Sequence, residues 1–563
     1  MAFQRIGAAS AFTVDARSHF GQHIDMADLT AIAARLDDLE NGHARLQQQL
    51  EQALRERDEL ARERDAYKQL YHDMQERCRK LELGLLADRS SEKLPRDDHQ
   101  LTLSVIDMML SERQRDEIDA LAPQKVREHE RQKPTGRRPL PESLRRVDIE
   151  VLPEEVKREG LDAFEEIGAE VTEVLERQVG GFVVVRVRKP KFKRKDTLSS
   201  NISVGSTPTL PIERSVAGPG LLADTIVRRW QDHLPLHRLE GIYKRDGVEI
   251  ARSTMCQWHQ RLAESVQGLT AAMRADAFTQ PYLCTDATGV LVQAKNKCRR
   301  SHFWVLVAPG KHVLFEYTRK HDKDAVDMVL AGYEGYLVAD AHAVYDHLYE
   351  GGDVHEVNCW AHARRYFFKA LSSQPEEAKT ALEMMGLLFK IERSQTSSPP
   401  KKRKDIRAKH SKPIVERFFS WADEIWPRTL EDTPLHDGVR YARNQREGLQ
   451  RFLSDGRLPL HNNVIERALR RQAVGRKNWL FVGSDSGAEA NAAFTSLLAS
   501  CGMHGIEPWG YLRDLFCLLP RWPAHRALEL APAYWKQALE DKVVCQLLNA
   551  DPYRAASLGR DPP

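Results

Sequence analysis

The chain has 563 residues, 42% of them hydrophobic and 29% charged, with Lys plus Arg (84) nearly matched by Asp plus Glu (81). That length can build several domains around at least one sizeable core, and the near balance of charge means that a nucleic-acid partner must be met by local clusters rather than by net charge. The eight cysteines (Cys78, Cys256, Cys284, Cys298, Cys359, Cys501, Cys517 and Cys545) contain no Cys-x-x-Cys pair, which argues against a disulfide framework or a four-cysteine zinc site and for a reducing compartment.

Residues 1–23 lack the apolar core and small-residue cleavage site of a leader, and no apolar run approaches the roughly eighteen residues of a membrane span. The expectation is a cytoplasmic protein with no membrane partner. From Leu29 to Leu85 a heptad pattern follows. One column is Ile32, Leu39, Leu46, Ala53, Leu60, Tyr67, Met74 and Leu81; the other, starting at Leu29 and Leu36, is interrupted by His43, Arg57 and Arg64. Such a pattern predicts a coiled coil through which chains self-associate, the alternative being an amphipathic helix folded back on its own domain.

A basic linker, Pro134-Thr135-Gly136-Arg137-Arg138-Pro139, leads to a small α+β module with a strand at Gly181–Arg188. The strand runs into seven basic residues between Arg186 and Lys195 with no acid among them. These read either as a solvated face or as a phosphate-backbone contact. Thr197–Pro211 reads as a linker. Helices are expected at Leu221–His233, at Leu236–Lys244, and from Ser253 through Leu262. This helix-Gly-helix order resembles a helix-turn-helix, with Ser253, Thr254 and Gln257 near its exposed face; an ordinary helical hairpin is the alternative.

Pro281 to Arg365 carries the chemistry. Strands are predicted at Tyr282–Thr285, Val290–Gln293, Phe303–Val307 and Val313–Tyr317, with turns at Ala287-Thr288-Gly289 and Pro309-Gly310. A helix at Lys323–Leu330 and a strand at Tyr336–Ala339 follow. Asp286 and Asp340 then lie at or just beyond strand ends, and the element order points to a ribonuclease-H-like α/β fold. Val354–Cys359 makes a further strand entering a helix with Arg364 and Arg365 as candidate phosphate contacts. His355, Cys359 and His362 lack a fourth ligand, so no structural zinc is expected. Leu371–Leu449 is helical, with Ser397–Lys404 as an exposed basic loop, and reads as a helical insertion.

A nuclease site of this kind needs a third acid. Glu466 follows Asn463 by three residues, which is either a capping box or a third metal ligand crowded by Arg467, Arg470 and Arg471, with Asp485 and Glu489 as competitors. Arg476 and Lys477 lie in what reads as a basic turn before an apolar segment. Three carboxylates can hold two oxygen-preferring divalent cations, which activate a water or 3′-hydroxyl and stabilise the leaving oxygen.

These residues resemble the transposases of the insertion-sequence sixty-six family (the TnpC type), a branch of the DDE transposases. The resemblance rests on Gly136–Pro141, Asp232–Arg238, Ser253-Thr254 with Trp258, Cys359–Arg365, Asn462–Leu469 and Gly475–Ser484. It implies a catalytic and metal-binding triad of Asp286, Asp340 and Glu466 using Mg²⁺ or Mn²⁺, two ions in all. It further implies cleavage and strand transfer at terminal inverted repeats and target DNA by a nucleoid-associated multimer, with accessory proteins of the same element as further partners. Arg364, Arg365, Arg467, Arg470, Arg476, Lys477, Ser253, Thr254 and Gln257 become the expected DNA contacts.

The expected organisation is a tail (1–25), a coiled coil (26–90), a zinc-ribbon-like region without cysteines (91–200) and a helix-turn-helix-like DNA-binding region (201–275). The two parts of a ribonuclease-H-like domain (276–370 and 456–520) flank the helical insertion (371–455), and a C-terminal tail (521–563) ends the chain. A catalytically silent DNA-binding oligomer is the alternative. A defence or repair nuclease draws no support from the transposase-like motifs.

Overall fold

The computed structural model describes residues 139–178, 180–195, 201–295 and 297–560, with scattered positions between 35 and 64. The chain divides into two units, Met1–Leu101 and Thr102–Pro563. In the first, residues 41–43 and 45–55 are helical. Leu39, Leu46, Leu50 and Leu54 are all exposed there, one apolar stripe at helical spacing that none of the described residues of its unit covers. Arg57 and Arg64 are helical as well, and most of the rest of the heptad stretch lies outside the described residues.

The second unit begins with a four-stranded sheet. Strand β1 (Arg145–Glu150) pairs in parallel with β3 (Gly181–Arg194), which pairs antiparallel with β2 (Phe164–Gln178) and with β4 (Ile202–Val204). The basic run from Arg186 to Arg194 is therefore part of a strand, and most of its charge is already answered. Arg186 pairs with Asp148 and Glu173, Arg188 with Glu150 and Glu166, and Lys189 and Lys191 share Glu170. Such cross-strand pairing disfavours the phosphate-contact reading, because sequence order hid the acids that β1 and β2 bring alongside.

Helices α1 (Pro219–Ile226), α2 (Leu236–Arg245) and α3 (Arg252–Phe278) follow. The third runs well past the expected end at Leu262. Met255, Trp258, Leu262, Val266, Leu269, Met273 and Ala277 recur every three or four residues and are all buried, so the apolar stripe never lapses.

The central sheet has the order β7-β6-β5-β8-β9, formed by β5 (Tyr282–Gln293), β6 (Cys298–Ala308), β7 (His312–Thr318), β8 (Gly335–Ala339) and β9 (Val354–Asn358). The β7-β6-β5 pairs are antiparallel; β5-β8 and β8-β9 are parallel. Alternate residues feed two cores: Leu283, Trp304, Leu306, Leu314 and Leu337 face one, while Cys284, Phe303, Val305, Phe315 and Val338 face the other. The expected turn at Ala287-Thr288-Gly289 is not one. Every residue from Cys284 to Gln293 has a partner on β6, and Gly289 takes no left-handed conformation, so β5 is a single strand with Asp286 inside it. The Pro309-Gly310 turn does form, with Gly310 at φ +74°.

One face is covered by α3, by α4 (Lys323–Leu330), and by α7 (Asp485–His504) and α8 (Pro508–Leu518), which follow later in the chain. Helix α5 (Trp360–Ala370), helices at Pro375–Ser394, Lys412–Ile425 and Pro434–Asn444, and α6 (Asn463–Trp479) cover the other. The supposed basic loop is partly a helix, Pro400–Ile406, in which Arg403 donates to the carbonyls of Ser398 and Gly456. Proline at the first helical position starts such a turn without needing an amide partner. The free edge of β7 is closed by α7: Ser496 and Ser500 accept the amides of Phe315 (2.7 Å) and Val313 (3.0 Å).

Residues after Pro520 return to the first sheet, where Tyr553 and Ala556 pack with Val174, Val185 and Val187. Beneath them Glu176 is fully buried, its Oε1 accepting the amides of Arg177 and Leu221, both at 2.7 Å. Gly218 leaves it room, since a Cβ there would lie 2.1 Å from Oε2. Burial pushes this carboxyl up to about 8, against the amide bonds that lower it. The folded chain thus holds a proton that the unfolded chain has already released. The stability tied to that proton is complete below the ordinary 4.5 and is lost as pH rises through about 8. Glu176→Gln should flatten the pH dependence of Tm over this window and raise Tm above wild type near about pH 9; parallel curves for the two proteins would contradict it.

Candidate active site

Asp286 and Asp340 are set by the parallel pairing of β5 with β8. The register joins Tyr282 to Tyr336 and Cys284 to Val338. The same offset carries Asp286 to the level of Asp340, which follows the last residue of β8. Ala341 then takes φ +60°, turning the chain sharply out of the sheet. Asp340 Oδ1 accepts the amide of His342 at 3.2 Å, and Asp286 Oδ1 accepts that of Ala287 at 2.7 Å. Each carboxylate is thereby oriented by its own backbone.

Behind them stands Tyr345, 2% exposed. Burial first, and then the neighbouring charges of Asp286 and Asp340, push its phenol well above the ordinary range. Its ring meets Trp304 edge-on, and Trp304 stacks on His321 (4.8 Å), which in turn meets His342 at 5.0 Å. Nothing in the spacing of these aromatics marked them as a wall of the site, because they come from three separate stretches: β6, the segment after β7, and the turn His342–Tyr345.

Helix α6 brings Glu466. The capping-box reading fails here: the helix begins at Asn463 itself, whose amide donates to His461 Nδ1 (3.4 Å), and the residue in the cap position, Asn462, makes no side-chain cap. Its amide nitrogen Nδ2 instead donates to the carbonyls of Thr285 (3.1 Å) and Val338 (3.5 Å), one residue before Asp286 and two before Asp340. Its backbone amide donates to Cys359 Sγ at 3.2 Å, and Trp360 donates to Leu460 O. The start of α6 is therefore stapled to both aspartate-bearing strands and to the start of α5. Glu466 Oε1 lies 3.5 Å from Arg365 Nη2, with both side chains partly exposed. Burial, with Arg365 adding to it, lowers the neighbouring His362 to about 4. Among the described residues, no three His, Cys, Asp or Glu side chains converge closely enough to hold a metal ion.

The competitors for the third acid are placed elsewhere. Asp485 is held by Tyr317, Arg299 and Arg319, with the Tyr317 hydroxyl the largest influence keeping its carboxyl below the usual range. Glu489 is exposed on α7. Of the expected cations, Arg467, Arg470 and Lys477 are exposed along α6, and Arg364 is half-buried. Gly475–Trp479 is not a turn but the last part of that helix. Arg476 is directed inward to Thr288 Oγ1 (3.0 Å) and the carbonyl of Gly289, so it ties α6 to β5 rather than reaching outward. Ser253 and Gln257 are exposed at the start of α3, and Thr254 is half-buried.

Residues 214–490, which span every element of this site, match the family model described as "Transposase IS66 family"; residues 89–149 match that described as "Transposase C of IS166 homeodomain". The chain belongs to the IS66 transposase family. It is 29% identical over 395 residues to the uncharacterized protein y4qI of Sinorhizobium fredii (strain NBRC 101917 / NGR234), covering 66% of this chain and 72% of that protein. The uncharacterized protein y4hP of the same strain is 27% identical over 491 residues, 80% of this chain and 87% of the relative.

In this IS66-family chain the residue most open to a separating test is Asn462. Asn462→Ala should cost about 1–3 kcal/mol in urea unfolding, because the carbonyls of Thr285 and Val338 lose their buried donor and the start of α6 loses its tie to both strands. Wild-type stability in the variant would remove Asn462 from the positioning role.

Proposed function

We propose that this IS66-family chain is a DDE-type DNA transposase that binds terminal inverted repeats and performs cleavage and strand transfer from a ribonuclease-H-like core. The observation that carries the reading is the shared level of Asp286 and Asp340 on adjacent parallel strands, with the Glu466 helix stapled by Asn462 to those same strands. Oxygen-only, half-exposed donors suit a hard divalent cation, and the Arg365 contact at 3.5 Å is a long one for a charged pair. Asp286, Asp340 and Glu466 do not converge closely enough to hold an ion as they stand, and are the residues that would hold Mg²⁺ or Mn²⁺ once drawn together. When bound, such ions lower the pKa of the attacking water or 3′-hydroxyl and stabilise the leaving oxygen.

The chain's own groups supply the remainder. Arg467, Arg470 and Lys477 line an exposed face of α6 that suits a phosphate backbone, and Arg364 lies on the neighbouring α5. Ser253, Thr254 and Gln257 sit at the N-terminal end of α3, where a recognition helix presents base-reading side chains. The uncovered stripe of Leu39, Leu46, Leu50 and Leu54 supports self-association through a coiled coil. Among the described residues no helix is long and apolar enough to cross a membrane.

The test is strand transfer by the purified full chain, with pre-cleaved ends of its element, a target duplex and Mg²⁺. Joined products that require the divalent ion are expected. Tight end binding with no joined product under any divalent ion would move the assignment to the silent DNA-binding oligomer.

A further inference from the structure

Arg471 lies five residues beyond Glu466 on α6, roughly 140° around the helix, and faces a different part of the molecule. It borders a small pocket with Trp230, His233 and Trp479. The pocket's volume is about 10 Å³, room for an oxygen-sized group but not for a base or a sugar. Its floor is self-satisfied: Gln472 donates to Asn491 (2.8 Å), Asn491 donates back to Gln472 (3.2 Å), and Thr495 donates to Asn491 (2.8 Å). The walls are not.

Arg229 is 9% exposed, and its Nη1 is buried with no hydrogen-bond partner. Its guanidinium lies over the rings of Trp230 (4.5 Å) and Trp479 (5.5 Å), both of which line the pocket. Trp230, 7% exposed, buries an indole N–H that likewise has no acceptor. Arg471 donates to the side-chain oxygen of Gln231 and pairs with no carboxylate. His233, at φ +58°, also lines the pocket.

Other buried arginines are neutralised, Arg407 by Glu392 and both Arg513 and Arg554 by Asp514. Here burial lowers Arg229 to about 10 and lowers Arg471, opposed by a thiol at each, Cys256 and Cys501, and by no carboxylate. His233 is lowered by burial and then by Arg471 and Arg229, with Asp232 opposing. Asp232 answers Arg228 before His233, and burial raises its carboxyl. One guanidinium without a carboxylate, that of Arg471, and the unsatisfied indole N–H of Trp230 thus belong to residues that line one pocket, with the Arg229 charge behind its tryptophan walls, a combination that an anion completes.

We propose that Trp230, His233 and Arg471, backed by the charge of Arg229, form a recessed oxyanion site that takes one phosphate group of a bound DNA strand. The site rests on the DNA-binding reading above and deepens it. The pocket's size admits only the tip of a phosphate, and the exposed cations Arg467, Arg470 and Lys477 on the same helix suit the flanking backbone.

Two probes test it on the full chain: a labelled DNA duplex followed by fluorescence anisotropy over a salt series, and inorganic phosphate followed by thermal shift against chloride at equal ionic strength. Arg471→Gln should cut duplex affinity about tenfold and reduce the slope of log K against log salt by about one, the share of a single phosphate contact. Trp230→Phe keeps the ring and removes the N–H, and should cost roughly three- to fivefold with the slope unchanged. Phosphate should raise the wild-type Tm and leave Arg471→Gln unmoved.

Wild-type affinity and slope in Arg471→Gln, or an equal phosphate shift in that variant, would overturn the site. If the chain bound no duplex while phosphate still shifted Tm, the transposase reading would fail. The ligand would then be free phosphate, which overturns the DNA assignment.

Discussion

Asp340→Asn should lower strand transfer by about a thousandfold or more, on the order of 4 kcal/mol of transition-state stabilisation. The reason is positional. Asp340 stands where β8 ends and the chain turns at Ala341, and the parallel register sets it beside Asp286 with no other acid able to replace it. Asp346, the next acid along the chain, opens a separate short helix. The substitution keeps an oxygen that can still accept the His342 amide, so the turn should survive.

End binding should hold within about twofold, because the exposed cations that suit DNA lie on α6 and are untouched. Glu466→Gln should lower strand transfer by a similar order while also loosening Arg365. Measured side by side, the two variants separate chemistry from binding. Full strand transfer in either would remove that residue from the triad, and lost binding with a proportionate loss of transfer would make its role structural.

What could be read from the residues follows from how local each signal was. The helix at Lys323–Leu330 and the turn at Pro309-Gly310 were legible because an Asp cap and a left-handed glycine act within a few residues. The continuous strand through Asp286 was not, since Ala287-Thr288-Gly289 resembles a turn until β6 supplies a partner for each residue. The basic stretch after Arg186 misled for the same reason, because its acids arrive from β1 and β2.

At the site, Asp286, Asp340 and Glu466 stood out as acids beside recognisable patterns. Asn462 read only as one of the pair of asparagines where a helix begins. Its real bonds reach Thr285 and Val338, more than a hundred residues away, and no local rule contains that information. Tyr345 is visible only once the sheet places both aspartates against one buried phenol.

The same long-range logic makes Arg407 the most sensitive position for stability. It lies in the helical insertion with its guanidinium fully buried. Both oxygens of Glu392 accept from it at 2.7 Å, and it donates to the carbonyls of Phe452 (2.6 Å), Asp455 (2.9 Å) and Leu458 (2.8 Å). Those carbonyls belong to the segment that leads through Leu460 into Asn462 and α6, and Phe389 of the insertion stacks on His461.

Arg407→Met should therefore cost about 3–5 kcal/mol, because Glu392 is left charged and enclosed and three carbonyls lose their donor. Adding Glu392→Met should return part of that loss, since removing both charges avoids the unpaired carboxylate. Urea unfolding of the two single variants and the double variant measures the coupling. Additive losses would show that the pair acts independently. If coupling is found, the single variant should also lose strand transfer beyond its loss of folded protein, since the carbonyls it frees are those that fix the entry to the Glu466 helix.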